Sequence, residues 1–247
     1  MARNSTLEKL LTDLRLEARL SSSPALNVQD RERQIQLLQR EQFRLWEDFA
    51  WPHLRVERFI PVQAGQRFYD PAAMQNEAGA AKTDMRMDRI EKIDIKYDGV
   101  WQPLSNGITP AHYAAHDSAL DQRSSPARAW RIYEDEQIEI WPVPDVDAGA
   151  QQEGYLRVTG IRNLRPLVDV TDRADLDDSL IVLYAAGNIL AGQNSPDAQL
   201  KMEAAQRHYA RLRNSLSKSE GFNLFGARTA HPLRRPYVSR YIPASEA

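Results

Sequence analysis

Residues 93–101 read IDIKYDGVW, and this stretch predicts a β-hairpin. In its first half, apolar and charged side chains alternate, which is the two-residue period of a strand with one buried face. Asp98 and Gly99 follow as a pair that favours the positive φ angles of a two-residue hairpin turn. Residues 100–101 would begin the return strand. The middle of the chain is therefore predicted to be antiparallel β-structure.

The same alternation extends from this hairpin in both directions. Further strands are predicted over residues 53–62, 67–69, 129–133, 137–141 and 155–161. A turn at Ala64 and Gly65 would join the first two of these strands, and the acidic residues 134–136 would form the turn between the next two. Residues 70–84 are rich in Ala, Gly, Asn and Gln and are predicted to form a loop. The region 53–165 is accordingly predicted to be one β-rich module, a small sandwich or an open barrel.

Two helices are predicted before this module. The first carries a capping-box pattern at Ser5 and Glu8. Its leucines follow at helical spacing and are Leu7, Leu10, Leu11 and Leu14. The second helix would run from a cap at Asn27 to a stop at Pro52, because proline disfavours helix in the residue before it. Its apolar stripe consists of Ile35, Leu38, Leu45 and Phe49.

Helices are also predicted inside the module and after it. Inside it, Thr109 and Pro110 are typical of a helix cap and a first helical residue. After it, one helix follows a group of acids that would cap it and complement its dipole. These acids are Asp169, Asp172, Asp175, Asp177 and Asp178. The last helix would begin at Ser195 and Pro196 and end near Lys218.

Together these elements predict an α+β fold. Residues 1–52 and 166–218 would form a helical bundle, and the antiparallel β module of residues 53–165 would be inserted into it. Residues 219–247 combine Gly and Pro with Arg and aromatic residues, and such a segment cannot form a core by itself. They are predicted to form an extended C-terminal arm.

The composition excludes several classes of protein. The 247 residues contain no cysteine, which excludes disulfides, thiolate zinc sites and cysteine nucleophiles. A formal net charge of -2 gives no overall argument for a nucleic-acid, membrane or acidic partner. No apolar run approaches the roughly 18 residues of a membrane span, and charged residues interrupt the N-terminal leucines. Neither a membrane span nor a signal peptide is therefore predicted.

No pattern in the chain indicates an active site. Glycine-rich nucleotide loops and a Gly-x-Ser-x-Gly nucleophile motif are missing from the sequence. His112 and His116 could face one metal ion from a helix, but Tyr113 stands where a metalloprotease has glutamate. The acids of residues 169–178 lack the glycine and the closing glutamate of a calcium loop. We therefore predict no catalytic residue, no metal site and no cofactor.

The arm carries the candidate binding residues. Basic and aromatic side chains are interleaved there, and the set is Phe222, Phe225, Arg228, Arg234, Arg235, Tyr237, Arg240 and Tyr241. Tyrosine and arginine are enriched where proteins bind one another, so we predict that the arm contacts a partner protein. The same combination can bind single-stranded nucleic acid, and a terminal segment of this kind can also have no partner.

Three stretches, taken in order, resemble a known family. They are FIPVQAGQRFYDP at residues 59–71, IEIWPVPD at residues 138–145, and residues 164–178, which begin LRPL and lead into an alanine-rich helix. In this order they resemble the head-to-tail adaptor (connector) proteins of tailed bacteriophages. The resemblance spans residues 30–215 and rests on order and spacing.

The resemblance implies a structural role and no enzyme activity. Adaptors of this kind form a ring, usually of twelve copies, beneath the portal protein, and tail components dock on that ring. The implied partners are the portal protein, tail proteins (nozzle, tube or tail-completion) and neighbouring copies of the chain, whereas DNA would only pass through the channel and no membrane is involved. The arm, residues 219–247, would reach the portal or a neighbouring subunit. The implied location is the head–tail junction of the virion, after assembly in the host cytoplasm.

Three alternatives keep the same sequence features but assign other roles. A tail-completion or other tail structural ring protein would share the fold and bind a different partner. A nucleic-acid-binding protein would use the basic arm, although the near-neutral charge disfavours it. A hydrolase acting on sugar or cell wall would use scattered carboxylates and tryptophans.

Overall fold

The computed structural model of the chain describes residues 3–21, 28–117 and 120–216. The helices are α1 (Leu7–Glu17), α2 (Val28–Asp48), α3 (Pro110–Ala115), α4 (Asp178–Gly192) and α5 (Asp197–Leu216). The strands are β1 (Arg55–Pro61), β2 (Phe68–Tyr69), β3 (Met85–Tyr97), β4 (Val100–Pro103), β5 (Ser105–Asn106), β6 (Ala129–Ile132), β7 (Ile138–Trp141) and β8 (Tyr155–Arg162). Helices precede and follow a strand-rich middle, and the predicted α+β fold is confirmed.

The strands form two four-stranded sheets that enclose one apolar core. The first sheet has the order β1-β8-β3-β4, and the second has the order β2-β7-β6-β5. Neighbouring strands are antiparallel except for β5 and β6. Both sheets supply core side chains, among them Ile60, Ile93, Leu156 and Val158 from the first and Tyr69, Trp130, Ile138 and Ile140 from the second. This is the arrangement of a sandwich.

The hairpin predicted at residues 93–101 is present. Asp98 and Gly99 have φ angles of 53° and 71°, as the two central residues of such a turn require. Tyr97 pairs directly with Val100 across the turn. The hairpin predicted around the acidic turn is also present, because β6 pairs with β7 on either side of Glu134–Glu136.

The hairpin predicted between residues 53–62 and 67–69 is wrong. β1 pairs with β8 over all seven of its residues, and β2 pairs with β7 in the other sheet. The chain between β1 and β2 crosses the sandwich, and on this crossing the Gly65 N–H donates to the Pro144 carbonyl at 2.8 Å. Turn residues such as Ala64 and Gly65 suit a connection to the other sheet as well as a hairpin within one sheet. The residues of the turn therefore could not show which of the two connections forms.

Helix α4 is the centre of the helical part. Its buried residues include Leu180, Ile181, Val182, Tyr184, Ala185, Ala186, Gly187 and Leu190. A helix that is apolar on most of its circumference is surrounded by other elements. Helices α1, α2 and α5 pack around it and contribute Leu10, Leu14, Leu38, Leu45, Ala205 and Leu212.

The N-terminal cap of helix α1 lies one residue later than the capping-box pattern predicts. Thr6 rather than Ser5 is the cap, and its Oγ1 accepts a hydrogen bond from the Lys9 N–H at 3.4 Å. The Leu7 N–H also donates to the Asp172 carbonyl at 2.8 Å, so the start of α1 is fixed by the segment that precedes α4. The cap predicted for α2, Asn27, lies outside the described residues.

Within the described ranges, none of the helices combines the length and the apolar character that crossing a membrane requires.

Candidate interaction surface

The outer face of the second sheet carries a row of polar and aromatic side chains. Phe68 of β2 pairs with Glu139 of β7, which pairs in turn with Arg131 of β6. Residues directly opposite one another in a sheet project to the same face. Ile138 and Ile140, on either side of Glu139, belong to the core. Strand β7 therefore places one carboxylate in the middle of the outer face.

The Glu139 side chain is fully buried and accepts hydrogen bonds from three residues. Arg67 Nη2 and Nε lie 2.6 and 2.8 Å from Oε1. Arg131 Nε donates to Oε2 at 2.6 Å, and the Tyr113 hydroxyl donates to Oε1 at 2.8 Å. These donors come from the segment before β2, from β6 and from α3. The carboxylate therefore ties three separate parts of the sandwich together.

Glu139 is charged at neutral pH. Burial by itself raises the pKa of its carboxyl, but the hydrogen bonds from Arg131, Arg67 and Tyr113 outweigh burial and hold the pKa below its usual value. Both oxygens are already engaged with cationic or hydroxyl donors. A low pKa and occupied oxygens do not suit a general acid or base at neutral pH, so Glu139 is a structural anchor.

Arg67 lies among aromatic rings above this anchor. Its guanidinium carbon is 5.0 Å from the ring centroid of Phe68, 5.2 Å from that of Tyr113 and 5.0 Å from that of Trp141. Cations at such distances are attracted by the faces of aromatic rings. The long arginine side chain is thereby held in one position.

The row ends in a pair of aromatic rings, of which Tyr133 is exposed and Phe68 is half-buried. The rings of Phe68 and Tyr133 have centroids 5.0 Å apart, and the Arg131 guanidinium carbon is 5.0 Å from the Tyr133 ring. Tyr133 is 40% exposed. We call Arg67, Phe68, Tyr113, Arg131 and Tyr133 the Arg–aromatic surface. Arginine and aromatic side chains already fixed in place lose little freedom on binding and are enriched at protein interfaces.

A second buried carboxylate joins the sandwich to the helices. Asp175, before α4, accepts hydrogen bonds from Arg162 at the end of β8, with Nη2–Oδ1 at 2.6 Å and Nη1–Oδ2 at 3.1 Å. It also accepts from the main-chain N–H and the Nε of Arg165, at 2.7 and 2.9 Å. Burial by itself raises the pKa of Asp175, and the hydrogen bonds from Arg162 and Arg165 bring it below its usual value.

The sequence-predicted binding residues lie outside the described part of the chain, because all eight belong to the arm. They are Phe222, Phe225, Arg228, Arg234, Arg235, Tyr237, Arg240 and Tyr241. Their role as a contact with a partner protein stays a prediction.

The two histidines considered as a metal pair do not share a helix face. His112 lies in α3, where its Nδ1 accepts a hydrogen bond from the Thr109 N–H at 3.0 Å. His116 follows the end of α3 and has an extended backbone. In the part of the chain that the structure describes, no three His, Asp or Glu side chains are grouped so that they could hold a metal ion.

The acids before α4 have separate roles, so the prediction of a shared capping function is only partly right. Asp177 is the cap of α4 and accepts from the Leu180 N–H at 3.1 Å. Asp172 accepts from two main-chain N–H groups and closes a turn. Asp175 binds arginines instead of capping. For Asp175 the capping prediction is wrong, because spacing along the chain cannot show that Arg162 lies across from it.

Sequence reasoning did not identify the Glu139 cluster. One signal was available: β7 reads IEIW, a single acid in an otherwise apolar strand, and Arg131 lies across a correctly predicted hairpin. The other donors, Arg67 and Tyr113, are distant in sequence and reach Glu139 only once the sandwich has formed.

Comparison with protein families gives one match. A family model described as SU10 adaptor protein matches residues 5–236. The matched range includes all helices and strands described above and extends into the arm. No curated protein matches the sequence.

Proposed function

The chain belongs to the SU10 adaptor protein family of phage head-to-tail adaptors, and from this premise we propose that it forms a ring between the portal and the tail of a virion. The ring would contain twelve copies with their helical parts side by side. DNA would pass through its channel, and no membrane would be involved. Subunits would assemble in the host cytoplasm and end at the head–tail junction. The family match over residues 5–236 is the observation that carries this proposal.

The buried charges of the sandwich and of its junction with the helices support a structural role. Glu139, Asp175 and Asp94 are each almost completely buried, and each is bound by at least one arginine. Removing one partner of such a pair leaves an uncompensated charge, so the pairs hold the surrounding elements in one arrangement. A rigid subunit suits a platform on which other proteins dock, because little freedom is lost on binding.

Two regions would make the contacts outside the ring. The arm, residues 219–247, would bind the portal, and its interleaved arginines and aromatic residues support this assignment. The Arg–aromatic surface would bind a tail protein of the nozzle, tube or tail-completion type. Its support is the exposed Tyr133 ring, which packs on the half-buried Phe68 beside two arginines that Glu139 keeps in place.

Native mass spectrometry tests the ring and the portal contact together. The purified chain is measured alone and after mixing with the portal ring encoded beside it. We expect a discrete complex with one copy of the chain for each portal subunit. No binding to an intact portal would contradict the proposal and would favour a tail-completion protein. A DNA affinity that falls steeply with salt would instead favour a nucleic-acid-binding role.

A further inference from the structure

A groove runs between α1 and α4 in the helical part of the chain. Its volume is about 400 Å³. Helix α1 lines it with one face, and helix α4 lines it with the side chains of its first turns. The lining residues are Ser5, Lys9, Asp13, Leu16, Glu17, Asp178, Ser179, Val182 and Leu183.

Asp178 is the unusual member of this lining. It is only 5% exposed, and neither of its carboxylate oxygens has a hydrogen-bond partner among the described residues. Its neighbour Asp177 differs, because that carboxylate caps α4 and also lies 2.9 Å from His208 Nε2. A buried carboxylate without a donor is costly, so Asp178 lacks a cationic or strongly donating partner among the described residues.

The other lining residues of the groove indicate which type of side chain could bring a donor to Asp178. Leu16 is 77% exposed and faces the groove together with Val182 and Leu183, so the walls include apolar surface. Lys9 and Asp13 contribute one charge of each sign to the lining, whereas Glu17 is already bonded to Lys201. An arginine fits this combination, because its aliphatic stem packs on apolar side chains while its guanidinium donates to a carboxylate.

We propose that the groove binds an arginine of the arm, residues 219–247, of the same molecule. The arm contains Arg228, Arg234, Arg235 and Arg240 against Glu220 and Glu246, so its charge complements the groove. This goes beyond the proposed ring function, because it concerns the free subunit before any portal is present.

The end of α5 brings the arm within reach. His208 of α5 contacts Asp177 beside the groove, and α5 ends at Leu216, eight residues and about 12 Å of helix further on. From Leu216 to Arg234 there are eighteen residues, which span up to about 60 Å when extended. An arm that starts this close has a high effective concentration at the groove.

Photo-crosslinking of the full chain without portal tests the proposal. Leu16→p-benzoylphenylalanine places the probe at an exposed groove residue, and Val146→p-benzoylphenylalanine at a 62% exposed residue of the sandwich is the matched control. We expect peptides from residues 219–247 to be crosslinked to position 16 and not to position 146. In a mixture of isotope-labelled and unlabelled chains, each crosslink should join peptides of one label.

Charge variants show whether the Asp178 carboxylate binds the arm. Asp178→Asn should lower the crosslink yield about tenfold, because a hydrogen bond between charged groups is lost. The double variant Arg234→Gln, Arg235→Gln should also lower the yield when Asp178 is unchanged. Asp169→Asn, at an exposed acid outside the groove, should leave the yield unchanged. Equal crosslinking at positions 16 and 146, a yield unaffected by Asp178→Asn, or mixed-label crosslinks would each overturn the proposal. Portal binding is not measured in this experiment, so its outcome is separate from that of the ring proposal.

Discussion

Arg162 Nη2 lies 2.6 Å from Asp175 Oδ1, and this pair connects the last strand of the sandwich to the segment that precedes the central helix. Arg162 also accepts, through its main-chain carbonyl, a hydrogen bond from Trp46 Nε1 of α2 at 3.0 Å. One residue thus contacts the sandwich, the start of α4 and α2. The sandwich and the helices therefore meet through the buried Asp175 carboxylate as well as through apolar side chains such as Ile161 of β8.

Asp175→Asn should destabilise the protein by about 2 to 3 kcal/mol. The substitution leaves Arg162 and Arg165 without their carboxylate, and the partial exposure of both arginines keeps the effect below that of a fully buried pair. The free energy of unfolding in urea measures the effect. Asp169→Asn, an exposed acid of the same segment, is the control and should change it by less than about 0.5 kcal/mol.

The difference between wild type and Asp175→Asn should depend on pH. The pKa of Asp175 is lower in the folded chain than in the unfolded chain, so the unfolded chain binds more protons as the pH falls. The stabilisation is complete above the unfolded pKa of about 3.9 and is lost as the pH falls through the lower folded value. We expect the difference in unfolding free energy to be constant down to about pH 5 and to shrink below about pH 4. A difference that grew on acidification would contradict this assignment.

Short-range sequence patterns predicted the turns and the order of helices and strands. The pairing of β1 and the Glu139 cluster depend on contacts between residues far apart in sequence, which such patterns do not show. The Asp98 and Gly99 turn, the acidic turn and the α+β order follow from local periodicity and turn chemistry, and all are present. The partner of β1 could not be predicted, because a turn at Gly65 does not say whether the chain returns or crosses. The Glu139 cluster required Arg67 and Tyr113 to meet a residue far away in sequence.

Gly160→Ala should destabilise the sandwich by about 2 to 3 kcal/mol. Gly160 lies in β8 opposite Ile90, where the pairing with β3 is irregular. A Cβ there would be 2.5 Å from the Arg89 carbonyl oxygen and 3.1 Å from the Ile90 Cα, and backbone atoms cannot yield easily. Gly192→Ala at the end of α4 is the control, because a Cβ there meets no atom within 4 Å. The urea midpoint should fall for the first variant and stay or rise for the second.

Tyr133→Ser should weaken binding of a tail protein by about tenfold or more, if the Arg–aromatic surface is its docking site. The substitution removes an aromatic ring that is 40% exposed and packs on Phe68 and Arg131. Tyr97→Ser is the matched control, since Tyr97 is 41% exposed on the other sheet. Pull-down or titration with purified tail proteins measures the effect. Equal losses for both variants would remove the argument for this surface, whereas portal binding should be unchanged in both.

Deleting residues 219–247 should abolish attachment to the portal while the chain still unfolds cooperatively, because the described helices and strands end at Leu216. The chemistry of the contact can then be resolved within the arm. Replacing Arg228, Arg234, Arg235 and Arg240 by lysine keeps the charge and loses the planar guanidinium, whereas replacing them by glutamine loses both. If charge attracts the arm and the planar group forms the specific hydrogen bonds, the lysine variant should bind the portal weakly and the glutamine variant should not bind at all. Attachment that survives the deletion would show that the portal contacts the helices or the sandwich instead, and the arm would then lose its assigned role in the ring.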